Sequence, residues 1–283
     1  MFHDGELAVQ RRAGVSTEAA RLEGMLAPAD LRGGMSRFLA ERTLAVIAGR
    51  DHDGDLWTSP MTGPAGFLQA NVATLDVHAV PAVGDPLHAL PAGQPVGLLA
   101  IEFAIRRRVR INGDLIAAGA GGLSIAVEQA FGNCPQYIHP RHLTAGAALG
   151  DPVARRASVL DEPGIALIRR ADTFFLGTTH PDRGVDASHR GGAPGFVRVD
   201  GGDLWWPDYP GNNMFNSLGN LAVDDAAALL FIDFATGTTL QMSGSAALQW
   251  TEPGAAGDDA GTGRRVRFTP RHVITGGASG LRD

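Results

Sequence analysis

Ser188-His189-Arg190-Gly191-Gly192 sets a guanidinium between a hydroxyl and a pair of glycines, on a segment whose pattern reads as a strand. An arginine in that position offers a planar fork to phosphate or carboxylate, and two residues without a Cβ leave backbone that a flat ligand can approach. Downstream, Asn212, Asn216 and Ser217 bring neutral hydrogen-bonding groups to an expected helix start, where free N–H groups favour an anion. A second basic stretch holds Arg106, Arg107, Arg108 and Arg110. Alternation along 105–112 puts Arg106, Arg108, Arg110 and Asn112 on one face and Ile105, Arg107, Val109 and Ile111 on the other. A solvated basic strand face is the plain alternative for any one of these arginines.

Lysine is absent, so all 24 basic residues are arginine. No lysine Schiff base can form, which excludes covalent pyridoxal phosphate catalysis, and a bound phosphate has only Arg, hydroxyl and backbone N–H groups to hold it. His139 and His142 have a metal-like spacing, yet Pro140 and Arg141 lie between them and no carboxylate or thiol joins nearby, so no metal site is expected. Cys134, the single cysteine, stands beside Pro135 with no base assignable to it and reads as a small buried residue. There is no phosphate-cradling Walker loop, no nucleophile elbow and no dinucleotide fingerprint after a strand.

The elements that must position these groups are written twice. Trp57-Thr58-Ser59-Pro60-Met61-Thr62-Gly63-Pro64-Ala65-Gly66-Phe67 answers Asp186-Ala187-Ser188-His189-Arg190-Gly191-Gly192-Ala193-Pro194-Gly195-Phe196, 129 residues apart. Gly97-Leu98-Leu99-Ala100-Ile101-Glu102-Phe103 answers Ala228-Leu229-Leu230-Phe231-Ile232-Asp233-Phe234 at an offset of 131. A period this long suits a duplicated domain rather than a solenoid, and 283 residues suffice for two cores. The expected division is 1–150, with N-terminal helices, and 151–283. Few aromatics, 38 Gly and 17 Pro favour many short strands over long helices, hence a mainly β chain built as two small antiparallel barrels. Residues 16–43 are predicted helical, 129–138 helix-like and polar, and 163–171 a helix. The run 253–263 is expected to be a loose hairpin tip, and 143–157 the inter-domain connection.

The net charge of −6 argues against a general nucleic-acid binder. One cysteine rules out an intrachain disulfide and fits a reducing compartment. No apolar run reaches the length of a membrane span and the N-terminus lacks signal-peptide features, so a cytoplasmic protein is expected.

The two copies differ where an anion would be held. Ser59-Pro60-Met61 faces Ser188-His189-Arg190, and Asp85-Pro86 faces Asn216-Ser217, so the second copy is equipped for a phosphate and the first is stripped of it. Taken together, Ser188-x-Arg190, Asn216-Ser217 and the strand Arg107-Arg108-Val109-Arg110-Ile111-Asn112-Gly113 resemble the pyridoxamine 5′-phosphate oxidase-like FMN-binding split barrels. Phe131-Gly132-Asn133-Cys134-Pro135-Gln136-Tyr137-Ile138 and Asp186 to Gly192 are similar to stretches of an uncharacterised bacterial branch of that family. The resemblance spans about residues 40–250. It implies tandem split barrels with FMN between them. The strand arginine of the family falls on Arg190, its Arg-Lys pair on Asn216 and Ser217, and its flavin-facing Gln on Arg108 or Thr239. It further implies cofactor contacts at Ser188, His189, Gly191 and Asn212, and substrate contacts at Gln129, Asn133, Tyr137 and Arg141. The same resemblance implies an oxidoreductase acting on a small molecule through an internal pseudo-dimer, with further homodimerisation open. A haem-binding or haem-degrading split barrel using His139, His142 or His189, a non-catalytic flavin-binding redox sensor, and a deazaflavin in place of FMN stay as alternatives.

Overall fold

The computed structural model describes residues 1–26, 29–145, 154–278 and 280–283. The first half forms β1 (Leu44–Arg50), β2 (Leu56–Thr62), β3 (Leu68–Ala70), β4 (Thr74–Val77), β5 (Gln94–Glu102), β6 (Arg107–Gly119) and β7 (Gly122–Gly132). Two short strands, β8 (Thr144–Ala145) and β9 (Arg155–Ala157), lead into the second half. There follow β10 (Thr173–His180), β11 (Gly184–Gly191), β12 (Arg198–Asp200), β13 (Asp203–Pro207), β14 (Ala226–Ile232), β15 (Thr238–Trp250), β16 (Arg264–Ala278) and β17 (Leu281–Arg282). The helices are short: α1 (Asp4–Ala13), α2 (Ser16–Ala20), α3 (Gly34–Ala40), α4 (Glu162–Arg170) and α5 (Asn216–Leu221). None among the described residues is long and apolar enough to cross a membrane.

The two large sheets run β2-β1-β5-β6-β7-β4-β3 and β11-β10-β14-β15-β16-β13-β12, one order written twice. The register repeats as well: Ala45 pairs with Met61 as Phe174 pairs with Arg190, and Leu99 with Arg110 as Leu230 with Gln241. The fold is therefore mainly β, a tandem pair of split barrels with a few short helices.

Strands β1 and β10 are apolar on both faces because each is covered on both faces. Ala45 and Ile47 face the first barrel's core, while Leu44, Val46 and Ala48 join an inter-barrel core with Phe175, Ala187 and Leu230. Phe174 and Leu176 face the second barrel's interior. The barrels meet closely at two glycines. A Cβ at Gly97 would lie 2.6 Å from the Ala187 amide nitrogen, and one at Gly177 would lie 2.6 Å from Thr58 Oγ1. The contacts are reciprocal, as in a two-fold pair: Arg110 of the first barrel reaches β11, and Gln241 of the second reaches β2.

Several local expectations give way to tertiary packing. The helical reading of 16–43 breaks into α2, a 3-10 turn at Glu23–Leu26, and α3. The polar stretch 129–138 is not helical, because β7 continues through Gly132 in its ladder with β6 and the chain then turns irregularly. The expected domain boundary at 150 lies outside the described residues; on either side of it, β8 pairs with β17 and β9 with β16. The predicted helix after Pro163 is present as α4, and 253–263 links β15 to β16.

Helix α1 was not foreseen, since its cap is a histidine rather than Ser, Thr, Asp or Asn. His3 Nδ1 accepts from the Glu6 amide while a Glu6 carboxylate oxygen accepts from the His3 amide, a reciprocal box, and Gly14 at φ 72° ends the helix. Burial, followed by the neighbouring His180, pulls the His3 imidazole down from 6.5 to about 4. Between those values the unfolded chain binds the extra proton and the folded one does not, so stability falls as pH drops from 7 towards 4. His3→Asn keeps a capping oxygen without the titration. Allowing for solvent screening, it should retain on the order of 1 kcal/mol at pH 5 that the parent loses. The measurement is the gap between urea midpoints at pH 7 and pH 5 for each protein.

Candidate functional site

A cleft of about 110 Å³, open at its mouth, lies where the two barrels meet. Arg108 and Arg110 enter it from β6, Arg190 from β11, and the segment after β7 contributes Asn133, Cys134 and Tyr137. The opposite wall is the irregular loop between β13 and α5, with Asp208, Tyr209, Asn212 and Phe215. That loop turns sharply through Asn213 at φ 61° and Phe215 at φ 59°. Tyr137, itself at φ 66°, stacks on Tyr209 with ring centroids 5.0 Å apart, and its hydroxyl donates to Pro210 O at 2.9 Å. The two walls of the cleft are thereby joined across its rim.

The three cleft arginines are held differently. Arg110 Nη1 lies 3.0 Å from Asp186 Oδ2, and both side chains are buried. Asp186 also accepts from Ser217 Oγ at 3.0 Å, and Ser217 Oγ lies 3.1 Å from Ser188 Oγ. Arg190 stands 3.9 Å from Asp208, whose carboxylate is already engaged by Arg264 at 2.8 Å. Burial lowers the Arg190 pKa, partly offset by Asp208. Arg108 donates through Nη1 to His189 Nδ1 at 2.6 Å and through Nη2 to Cys134 O at 3.2 Å. Burial, then Arg110 and Arg190, pulls the Arg108 pKa down to about 9, which leaves it charged at neutral pH. In all three arginines the Nε–H is buried and unpartnered.

His189 is packed edge-on against Phe103 and Phe175, each 6.0 Å away. Burial, with Arg108 the next cause, drives its pKa well below 6.5, so the ring is neutral. Because Nδ1 accepts from Arg108, the ring proton sits on Nε2.

The cleft gathers Arg108, His189, Arg190, Gly191, Asn212, Asn133 and Tyr137 from the expected set. Five other residues do not line it. Asn216 Nδ2 donates to Glu6 of α1, and Ser217 donates to Asp186, so the place expected to welcome a phosphate already holds two carboxylates. Ser188 is fully buried, with its hydroxyl between Leu176 O and Ser217 Oγ. Gln129 faces a separate small cavity beside Glu6 and Asn112. Arg141 is taken by Asp172 and packs over Phe234. Gly191 does allow a close approach, but by protein: a Cβ there would lie 2.0 Å from Tyr137 O. Cys134 is exposed, contrary to its reading as buried, because β7 ends before it and the segment follows the cleft edge.

The sequence reading missed the wall formed by Trp206, Asp208, Tyr209 and Phe215. Its one signal was the loop composition of Pro207-Asp208-Tyr209-Pro210-Gly211-Asn212-Asn213, which marks a turn but not what the turn covers. It also missed that α1 supports this wall. Gln10 Nε2 donates to Met214 O at 3.2 Å, and the backbones of α1 and α5 touch at Gly5 and Gly219.

The pseudo-equivalent place in the first barrel is filled. Met61, in register with Arg190, is buried in the barrel core. Asp85 accepts from Ser59 Oγ at 2.6 Å, from the Leu87 amide at 2.8 Å and from Gln241 Nε2 at 3.0 Å. Burial raises this carboxyl to about 6 despite those donors. One interface position is open and cationic; its counterpart is closed by the protein's own acid.

Neither His139 nor the His3–His180 pair lines the cleft. His139 Nε2 is bonded to Gly192 O at 3.0 Å. His3, Asp4 and His180 approach one another, but His3 Nδ1 and His180 Nδ1 each accept a backbone N–H, which puts the ring protons on Nε2.

Residues 164–264, most of the second barrel, match the pyridoxamine 5′-phosphate oxidase family. The second barrel belongs to the pyridoxamine 5′-phosphate oxidase-like split-barrel family. No curated protein matches the chain in sequence. Among solved structures, HupZ of Group A Streptococcus is 11% identical, covering 42% of this chain and 98% of its own, with a TM-score of 0.34. The FAD binding protein of Mycobacterium smegmatis is 12% identical over 43% of this chain and 99% of its own, TM-score 0.30. A Clostridium acetobutylicum protein related to general stress protein 26, of the pyridoxinephosphate oxidase family, is 16% identical over 39% and 86%, TM-score 0.27. The first barrel repeats the strand order of the second, so the inter-barrel cleft is built from both halves of one polypeptide.

Proposed function

We propose that the inter-barrel cleft binds FMN and that the protein is a flavin-dependent oxidoreductase acting on a small molecule. The observation that carries this reading is the convergence of three guanidinium groups, each with a buried unpartnered Nε–H, in one cleft walled by Tyr137, Trp206, Tyr209 and Phe215. Buried donors without acceptors are costly, and a phosphate supplies acceptors in the geometry that an arginine fork prefers. Arg190 is assigned to the phosphate, because its nearest carboxylate is already engaged by Arg264. The aromatic walls suit a planar ring, and the neutral His189 holds Arg108 in place from behind. A bound flavin supplies hydride or electron transfer; the residues named here bind it, orient it and keep water out.

The asymmetry of the two interface positions sets the stoichiometry. Asp85 and Met61 leave no room or charge for a second phosphate, so one FMN per chain is expected. Titration of the apo protein, with bound flavin counted after denaturation, checks this, and two flavins per polypeptide would overturn the assignment. The absorption spectrum of the purified protein separates the alternatives. A flavin doublet supports FMN, a haem Soret band supports the haem reading, and tighter binding of a deazaflavin than of FMN would replace the cofactor.

A further inference from the structure

Arg108 differs from its two neighbours in having no acid. Arg110 has Asp186 at 3.0 Å and Arg190 has Asp208 at 3.9 Å. The hydrogen-bond partners of Arg108 among the described residues are His189 Nδ1, His189 O and Cys134 O, and its Nε–H is buried with none. A partly buried cation surrounded by uncharged partners is an incomplete arrangement, because desolvation is compensated only by an opposite charge or by a full set of acceptors. A second orphan lies along the same cleft: Asn133 Oδ1 is a buried acceptor with no donor. Tyr137 and Tyr209, stacked at 22° between their planes, offer flat apolar surface beside both groups.

We propose that Arg108 is the receptor for a second anionic group, the carboxylate of a planar aromatic substrate, separate from the phosphate assigned to Arg190. This rests on the reading of the cleft as an FMN site, and it names the class of molecule that would be bound next to the cofactor. Arg108 receives the carboxylate on its free Nε–H edge. Asn133 Oδ1 accepts from a hydroxyl or amino group on the same molecule, and the tyrosine pair bounds the ring. The fixed fork of an arginine at this position, rather than a lysine, matches a planar carboxylate.

Benzoate is the probe, titrated calorimetrically into the full chain with and without FMN, for the parent, Arg108→Gln and Arg190→Gln. Benzoate affinity should fall about 10-fold or more in Arg108→Gln, and by less than about 3-fold in Arg190→Gln. Arg108→Lys, which keeps the charge without the fork, should bind benzoate between these limits and guards against a loss of fold. FMN affinity should show the opposite order, falling in Arg190→Gln more than in Arg108→Gln. Failure of FMN to bind the parent overturns the cofactor reading, while the benzoate contrast is still readable in its absence. Absence of benzoate binding, equal losses in the two glutamine variants, or unchanged affinity in Arg108→Gln would overturn the proposal. A fall in the bound flavin's midpoint potential in Arg108→Gln, with benzoate affinity unchanged, would assign Arg108 to the cofactor's ring instead. Crystals of the parent soaked in bromobenzoate test the site without any variant, since the carboxylate should lie within hydrogen-bond distance of Arg108 and nowhere else in the cleft.

Discussion

Asp186→Ala is expected to destabilise the protein by about 3–5 kcal/mol, the typical cost of removing one member of a buried ion pair. Asp186 is 2% exposed and is the acceptor for Arg110 and Ser217, with Asn112 Nδ2 a further 3.5 Å contact. Without it, Arg110 keeps its charge in a buried place with no anion, and the link from the first barrel's β6 to the second barrel's β11 is lost. Asp186→Asn, which keeps the shape and one acceptor oxygen, should cost clearly less. Replacing both Asp186 and Arg110 by apolar residues of similar size should recover much of the loss, since the penalty comes from the orphaned charge rather than from the absent attraction. Urea unfolding of the two single variants and the double replacement measures all three. An unchanged midpoint in Asp186→Ala would show that the pair contributes nothing to the barrel interface.

The second large effect is on ligand affinity. Arg190→Ala should weaken FMN binding about 10- to 150-fold, as expected from roughly 1.5–3 kcal/mol for charge-assisted bonds to a phosphate. The fold should survive the change. Asp208, the nearest carboxylate, keeps Arg264 at 2.8 Å, so removing Arg190 leaves no orphaned acid behind. Arg190→Lys should recover only part of the affinity, having charge without the fork. Flavin fluorescence titration of apo protein, with circular dichroism as the check on folding, distinguishes these outcomes. Undiminished affinity in a folded Arg190→Ala protein would move the phosphate to Arg108 or Arg110, the other arginines of the cleft.

The sequence by itself determined the duplication and the open half of the interface. Segments such as Leu98-Leu99-Ala100 and Leu229-Leu230-Phe231 are apolar without alternation because their strands are buried on both faces, and that property survives in the letters. The exchange of Arg190 for Met61 was equally legible, because replacing a cation by a thioether changes what a site can hold. The alternation that turned Arg108 and Arg110 away from Val109 and Ile111 also held, since a two-residue period depends only on local geometry.

Only the tertiary structure decided which polar groups remain free for a ligand. Asn216 and Ser217 carry the right chemistry for a phosphate, yet Glu6, 210 residues away from Asn216 in the chain, and Asp186 consume them. Arg141 is consumed by Asp172 in the same way. Hydrogen-bond capacity is a property of a side chain, but its availability depends on every partner that packing brings within about 3 Å, and those partners are set by contacts between distant segments. The loop 207–215 illustrates the converse. Its composition announced a turn, while its role as a cleft wall came from α1 docking on α5, where Gly5 and Gly219 let two backbones touch. The residue types are written in the sequence, and long-range packing settles which of them face the cleft with a valence left over.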